Sequence, residues 1–394
     1  MTDNGPWWGT TSSSLQVEGV APAADWSRWE REKRVPRSGD GNGFATNHAD
    51  DLGLIAQLGV SHVRIGLEWS RLEPEPGRTD ATAFDCYDDI LSSARRAGLR
   101  TIATLHHGSL PGWFSEDAAG YLDEHGREYT WATQVDRCAE RFDGLVDVWV
   151  PIDDPIGWAI RGFLLGTRPP GRRDPQQAAQ AIEAALLANH VAWNLLRSGT
   201  TPVMAVFGTP TIFGHGEGND AQRRAWHDLL FTPWISAIRD GELRVPGRPS
   251  RELAELAGAF DLIGVSHDHP IAVDRFGAVH PYPGAARRTD TGFTPIPNEI
   301  GELLSYLASE LPARELVVAG HGIPTSDDEW REQLLQQTVE IIRDAARHDI
   351  PVVGYLHDTG IDGYEGIYGF ATQRGLIARD RELKDSGRWL QENL

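Results

Sequence analysis

Short apolar runs alternate with longer amphipathic segments along the whole chain. The short runs have the length and composition of buried strands. The longer segments carry apolar residues at the three-to-four-residue spacing of a helix, as at Tyr87, Ile90, Leu91 and Ala94 before Gly98. This pattern predicts a regular alternation of strand and helix.

The predicted elements form eight strand and helix pairs. The strands cover residues 7–10, 62–67, 101–105, 146–152, 204–207, 262–265, 316–319 and 352–356. The helices cover residues 50–58, 83–97, 132–142, 176–197, 220–238, 298–310, 330–347 and 385–394. Segments 167–174 and 274–294 are expected to be loops over one face. Eight alternations predict an α/β fold, a single (β/α)8 TIM barrel forming one domain over residues 1–394, with its chemistry at the carboxyl ends of the strands.

Composition fits a packed domain and limits the partners. Hydrophobic residues make up 40% of the chain and 14 tryptophans are spread along it, which supplies a core. The 37 basic and 57 acidic residues give a net charge of −20, which repels phosphate backbones and anionic lipids. We therefore expect no nucleic-acid or membrane partner, and a neutral small molecule fits the charge better.

The amino terminus and the cysteines point to an ordinary cytoplasmic protein. Met1 is followed by TDNGP, without the basic and apolar regions of a signal peptide. Cys86 and Cys138 both fall in helical patterns and are expected to be reduced thiols. No sequence motif implies a cofactor, and the sequence makes no prediction of oligomeric state.

Several strand-end motifs together resemble one enzyme family. They are GTTSSSLQVEG at 9–19, HVRIGLEWSRLEP at 62–74, TLHHGSLP at 104–111, the segments 162–171 and 362–365, and KDS at 384–386. In this order they resemble the family 1 glycoside hydrolases, which include β-glucosidases. The resemblance implies that Gln16, His107 and Glu365 bind sugar hydroxyls, and that Arg64 matches the arginine that steadies the family's nucleophile.

Both catalytic glutamates of that family are replaced at the matching positions. The Asn-Glu-Pro triplet after the fourth strand becomes Asp153-Asp154-Pro155, so Asp154 keeps a carboxyl group one methylene shorter. The alternative for Asp154 is a cap on the next helix. The glutamate after the seventh strand becomes Gly320, which has no side chain to attack an anomeric carbon.

Other family positions are replaced by groups that titrate. His267 stands for a tyrosine beside the nucleophile, Asp358 for the tryptophan beneath the sugar, and Gly108-Ser109 for a Trp-Asp pair. The strand ends then gather His106, His107, Asp153, Asp154, His267, Asp268, His269, His321, His357 and Asp358. Such a set also suits a divalent metal, although no compact metal-binding signature accompanies it.

The leading hypothesis is an acid/base enzyme acting on a glycoside or a polyhydroxylated small molecule, by a route other than double displacement. The predicted catalytic residues are Asp154, His321, His267 and Asp358. The predicted ligand-binding residues are Gln16, His107, Asp153, Glu365, Arg64 and His357. No metal is assigned in this hypothesis. The alternatives are a catalytically silent sugar-binding protein and a metal-dependent hydrolase or lyase.

Overall fold

Eight parallel strands form the centre of the molecule. A computed structural model describes residues 5–117, 119–282 and 286–394. Within it the central strands are β1 (Trp7–Thr11), β2 (His62–Gly66), β3 (Arg100–His106), β4 (Val148–Ile152), β5 (Met204–Gly208), β6 (Leu262–Ser266), β7 (Glu315–His321) and β8 (Val352–Asp358). Their order in the sheet is β4-β3-β2-β1-β8-β7-β6-β5. Two parallel bridges, Trp149 to Val203 and Asp153 to Val206, join the outer strands β4 and β5 and close the barrel.

Side-chain alternation along the strands separates two apolar layers. The barrel interior is packed with Ile102, Val148, Val150, Met204, Val206, Val317, Ala319 and Leu356. The opposite side chains of the same strands, such as Val63 and Ile65 of β2, join the larger core beneath the helices. The interior is therefore filled, as expected for a barrel of this size, and chemistry is confined to its end.

Helices surround the barrel. The described part of the chain has α-helices at Ser14–Glu18, Asp25–Arg31, Phe44–Gln57, Trp69–Leu72, Ala81–Arg96, Ala132–Phe142, Pro155–Ala159, Pro175–Leu196, Asp220–Leu230, Thr232–Asp240, Asn298–Glu310, Asp328–Arg347 and Asp385–Asn393. Short 3-10 or π-helical turns lie at Trp113–Asp117, Gly120–Leu122, Gly126–Trp131, Asp143–Leu145, Ile160–Leu164, Ala254–Leu256 and Gly366–Tyr368. This arrangement confirms the predicted (β/α)8 barrel.

Two predicted elements differ from the structure for local reasons. The helix expected over 220–238 is divided at Phe231, because Pro233 has no N–H to continue the hydrogen bonds of the first segment. The loop expected over 274–294 contains strand Val279–Pro281, which pairs with Ile271–Val273 and through it with Ile212–Gly214. Residues 283–285 of that loop lie outside the described part of the chain.

The remaining structural expectations concern the thiols and the membrane. Cys138 is buried, Cys86 is half-buried, and both are free thiols within helices. Among the residues that the structure describes, no helix is long and apolar enough to cross a membrane.

Candidate active site

A buried arginine network occupies the carboxyl end of β2. Arg64 faces the barrel interior because its neighbours in the strand face the helices. Its Nε donates to Thr104 Oγ1 at 2.8 Å, its Nη1 to the Ala319 carbonyl oxygen at 3.2 Å, and its Nη2 to Asp153 Oδ1 at 2.5 Å. The Nε2 atom of His107 lies 3.4 Å from the other oxygen of Asp153. Three predicted binding residues therefore meet here.

The charge states within this network follow from burial and pairing. Burial opposes ionisation of Asp153, but His107 and Arg64 outweigh it and hold the pKa of Asp153 well below its usual range. Burial lowers the pKa of His107 to about 4, so its ring is neutral at pH 7. The Nδ1 atom of His107 is buried and has no hydrogen-bond partner among the described residues. Asp153 is thus a permanent anion beside a neutral imidazole.

The end of β7 brings only backbone to this network. Gly320 follows Ala319, whose carbonyl oxygen accepts the bond from Arg64 described above. The Gly320 carbonyl oxygen accepts from the His267 backbone N–H at 2.9 Å. A Cβ atom added at Gly320 would lie 3.0 Å from Ser266 Oγ, so a side chain there would press on one flexible hydroxyl.

Asp154 has the contacts of a helix cap. It precedes helix Pro155–Ala159 with φ 47° and ψ 64°, a left-handed conformation that aspartate tolerates better than most residues. Its Oδ1 atom accepts from the backbone N–H groups of Gly157 at 3.0 Å and Gly208 at 2.9 Å. Its Oδ2 atom lies 3.0 Å from Arg161 Nη2. Both carboxylate oxygens are therefore occupied, as the capping alternative expects.

His267 and His321 make their hydrogen bonds away from the carboxylates. His267 Nδ1 donates to the Thr209 carbonyl oxygen at 2.8 Å, and burial lowers the pKa of its ring to about 4. His321 Nδ1 donates to the His267 carbonyl oxygen, and its Nε2 lies 3.1 Å from the Thr338 hydroxyl on helix Asp328–Arg347. The His321 ring therefore points toward the helix layer. Among the described residues, neither ring is hydrogen-bonded to the predicted catalytic residues Asp154 and Asp358.

His357 also supports the backbone. Its Nε2 donates to the Arg374 carbonyl oxygen at 3.2 Å, and its Nδ1 lies 3.3 Å from the Tyr355 hydroxyl. Burial lowers the pKa of His357 to about 3, so the ring is neutral. Its contact with residue 374 fixes the segment that carries the next group of charges.

One guanidinium group holds three carboxylates at the barrel mouth. Arg374 Nη1 donates to Asp358 Oδ2 at 3.1 Å and its Nη2 to Asp268 Oδ2 at 3.1 Å, and its Nε lies 3.3 Å from Glu365 Oε2. Glu365 Oε1 also accepts from Gln16 Nε2 at 3.1 Å. We call Arg374, Asp268, Asp358 and Glu365 the Arg374 cluster. It contains the predicted residues Asp358, Glu365 and, at its edge, Gln16.

The Arg374 cluster contains two carboxyl groups that hold protons near neutrality. Burial, with the charges of Asp268 and Asp153, raises the pKa of Asp358 to about 6 in spite of Arg374. Burial also raises the pKa of Glu365 to about 7, again against the attraction of Arg374. At Asp268 the pairing with Arg374 outweighs burial and lowers the pKa. The cluster therefore contains two carboxyl groups that can donate a proton near pH 7, Asp358 and Glu365, and one carboxylate that stays ionised, Asp268.

Sequence reasoning did not find the arginines of the mouth other than Arg64. Arg161, Arg168 and Arg374 lie in or beside loops, where an arginine usually has a solvated side chain. A signal was present nevertheless. The four aspartates expected at the strand ends, Asp153, Asp154, Asp268 and Asp358, require a counter-charge, since buried carboxylates are seldom left unpaired.

The geometry gives no support to a metal centre. Among the described residues, no group of three or more His, Cys, Asp and Glu side chains is arranged to hold a metal ion. The carboxylates of the mouth are instead directed at guanidinium groups. Most of the strand-end His and Asp residues are thus engaged in ion pairs or bind backbone groups, whereas His106 contacts the Tyr121 hydroxyl and His269 stacks on Phe293.

Comparisons with known proteins agree with this architecture. Residues 4–211 match the profile of the family described as Glycosyl hydrolase family 1. Beta-glucosidase A of Thermotoga maritima is 24% identical, over 97% of this chain and 95% of its own. The structure of a beta-glycosidase from Pyrococcus horikoshii superposes with a TM-score of 0.91 at 26% identity, over 98% of this chain and 93% of its own. A family 1 β-glucosidase from Thermotoga maritima, in complex with isofagomine lactam, has a TM-score of 0.90 at 21% identity, over 98% and 97% of the two chains.

Proposed function

Because the chain belongs to glycosyl hydrolase family 1, we propose that its barrel mouth binds a glycoside or similar polyol and acts on it by proton transfer, without a covalent glycosyl intermediate. Gln16, His107 and Glu365 are the residues proposed to bind the ligand's hydroxyl groups. Support comes from their positions: Gln16 and Glu365 are hydrogen-bonded to each other at the mouth, and the His107 ring lies beside Asp153.

The proposed departure from double displacement rests on Gly320 and Asp154. We propose that Gly320 occupies the position of the family's nucleophile, and glycine offers no atom for attack. Arg64 donates to the neighbouring carbonyl oxygen and to Asp153 instead. Asp154, the proposed counterpart of the acid/base glutamate, has both oxygens bound by backbone amides and Arg161.

The observation that carries the proposal is a pair of carboxyl groups whose environments separate their pKa values. Asp358 has its pKa raised to about 6, whereas Asp153 has its pKa held well below the usual range. Such a separation is the usual mark of an acid and its anionic counterpart in one site. We propose Asp358 as the general acid and Asp153 as the carboxylate that stabilises developing positive charge and orients water.

The remaining predicted catalytic residues receive lesser roles in this proposal. His267 is proposed as an alternative base, because its Nδ1–H donates to the Thr209 carbonyl oxygen and its buried Nε2 has no partner among the described residues. His321 and His357 position the strand ends through their backbone contacts. Arg64 fixes the charge of Asp153.

The test is product stereochemistry from a substrate panel. Aryl β-glucosides and natural polyols are incubated with the protein and the first-formed products are read by NMR. Inversion or elimination supports the proposal, whereas retention contradicts it. Asp358→Asn should lower the rate by about 10²-fold or more, the contribution typical of a general acid. The exposed Asp380→Asn serves as the matched control and should leave the rate unchanged.

A second function, sugar binding without turnover, is favoured by one observation. The full hydrogen bonding of Asp154 is what a structural cap would show, and it leaves no free acid at that position. If calorimetry shows glycoside binding that Asp154→Asn and Asp358→Asn both preserve, and no product forms from the panel, the binding function replaces the enzymatic one.

A further inference from the structure

A fourth arginine, Arg168, stands at the mouth on the side of β3. Its guanidinium carbon lies 5.9 Å from the centre of the Trp26 ring. The Trp26 indole N–H donates to the Gly108 carbonyl oxygen at 3.1 Å, which fixes the ring beside the end of β3. A Cβ atom added at Gly108 would lie 3.6 Å from Arg168 Nη1. The arginine head therefore occupies a corner formed by Trp26 and Gly108.

Arg168 differs from its three neighbours in having no carboxylate of its own. Arg64 pairs with Asp153, Arg161 with Asp154, and Arg374 with three acids. In the described part of the chain, no hydrogen bond or ion pair reaches the Arg168 guanidinium. Within the same described residues, no nitrogen atom of the Arg168 side chain is both fully buried and unpartnered, so its N–H groups are accessible to solvent. The group is thus an accessible cation without a partner.

The charged groups near Arg168 show which part of the mouth its guanidinium faces. Burial, followed by the repulsion of Arg161, lowers its pKa to about 9, so it remains protonated at pH 7. The carboxylates of Asp154, Asp153 and Glu365 attract it from across the mouth and oppose that decrease. Of these three groups, Glu365 and Asp153 have proposed roles in binding the ligand or acting on it. A cation held at the edge of low-dielectric surroundings without an ion-pair partner is costly, and an anion bound from solution would relieve that cost.

Gly108 explains how the arginine reaches this place. The family resemblance expects a tryptophan there, and a large ring at residue 108 would compete with the Arg168 head for the same corner. A guanidinium beside Gly108, where the resemblance expects an aromatic ring, favours binding of a planar oxyanion over stacking on an apolar face. Arginine forms paired hydrogen bonds with carboxylates and phosphates in this way.

We infer that the ligand of this site carries an oxyanion group, a carboxylate or a phosphate, which Arg168 binds beside Trp26 and Gly108. The inference rests on the proposed function, because it names the class of glycoside that the mouth accepts. It replaces the neutral ligand expected from the net charge of −20, since Arg168 has no ion-pair partner in the described part of the chain, whereas Arg64, Arg161 and Arg374 are paired with the acids of the mouth.

The experiment compares three ligands by calorimetry: methyl β-D-glucoside, methyl β-D-glucuronide and methyl β-D-glucoside 6-phosphate. At least one anionic ligand should bind about tenfold or more tightly than the neutral one, the effect expected of a charge-assisted hydrogen bond. Arg168→Gln should remove that advantage and change binding of the neutral ligand by less than about twofold. The two anionic ligands distinguish a carboxylate site from a phosphate site.

Arg172→Gln is the matched control, because Arg172 is an exposed arginine of the same loop. It removes the same charge and should leave all three affinities unchanged. Equal binding of neutral and anionic ligands, or an equal loss for both in Arg168→Gln, overturns the inference while the proposed function stands. Arg168-dependent binding of an anionic ligand without turnover supports the inference and contradicts the enzymatic function. Failure of all three ligands to bind overturns both.

Discussion

Arg374 and Asp358 form a half-buried ion pair of 3.1 Å that joins the loop after β8 to the end of that strand. The same guanidinium also holds Asp268 of the β6 end and Glu365. One cation thus pairs with carboxyl groups from separate parts of the chain. The barrel mouth depends on it both for its charge balance and for the position of its proposed acid.

Replacement of Arg374 should destabilise the fold. Arg374→Gln leaves three half-buried carboxyl groups without their cation, and since removal of one partner of a fully buried pair typically costs about 3 kcal/mol or more, we expect a loss of about 2 kcal/mol here. The free energy of unfolding in urea should fall by about that amount at pH 7 and by less at pH 5, where Asp358 and Glu365 are protonated. Arg388→Gln, which removes an exposed pair with Asp385, is the control and should cost less than about 0.5 kcal/mol. A loss that does not depend on pH would contradict this account.

The stability of the protein should pass through a maximum near pH 6.5. Buried histidines such as His107 and His267, with pKa values lowered to about 4, bind protons only when the chain unfolds, so their contribution is complete above pH 6.5. Burial raises the pKa of Glu18 to about 7 and that of Asp25 to about 8. These carboxyl groups lose their protons more readily on unfolding, so stability falls as the pH rises toward their folded pKa values.

Denaturant unfolding at half-unit intervals from pH 5 to pH 9 measures this profile. Asp25→Asn should flatten the decline between pH 6.5 and pH 8, because Asp25 has the higher of the two raised pKa values. The exposed Asp380→Asn should leave the profile unchanged. A stability that rises steadily from pH 6.5 to pH 8 would show that these carboxyl groups are ionised in the folded protein.

Restoring a carboxylate at residue 320 should restore a nucleophile. The nearest atom to a new Cβ there is the Ser266 hydroxyl at 3.0 Å, so Gly320→Glu combined with Ser266→Ala provides the space. A 2-deoxy-2-fluoro aryl β-glucoside should then label the variant covalently, which intact-protein mass spectrometry detects. The matched control is Gly320→Gln with Ser266→Ala, which has the same shape without the charge. Labelling of the unmodified protein would contradict the proposed loss of the nucleophile.

Asp154 should respond to mutation as a cap. Asn keeps an oxygen for the Gly157 and Gly208 amides and tolerates a left-handed backbone, and it loses only the pairing with the partly exposed Arg161, so Asp154→Asn should cost about 1 kcal/mol. Asp154→Ala loses both hydrogen bonds and the ion pair with Arg161 and should cost about 2 kcal/mol. Thermal unfolding with parallel assays separates the roles. If Asp154→Asn keeps its stability and loses turnover, Asp154 is the acid after all and Asp358 is not.

The sequence alone predicts part of the barrel mouth. Because the alternation predicts eight parallel strands whose carboxyl ends meet at one edge, Asp153 and Asp358 are expected together, and the family resemblance adds Arg64. The histidines show where that reasoning stops. Val317 and Ala319 face the interior, so strict alternation would turn His321 inward as well. An irregularity in the pairing of β7 between Val318 and His321 turns the ring to Thr338 instead.

The sequence by itself determined the barrel, the strand ends that form its mouth and the absence of a side chain at residue 320. Each of these follows from short-range periodicity or from residue identity, which need no knowledge of distant contacts. Only the tertiary structure decided that Arg374 and Arg168 enter the mouth and that Asp154 is fully hydrogen-bonded. Loop paths and ion pairs depend on groups far apart in the chain, and no local pattern of hydrophobic and polar residues records which of them meet.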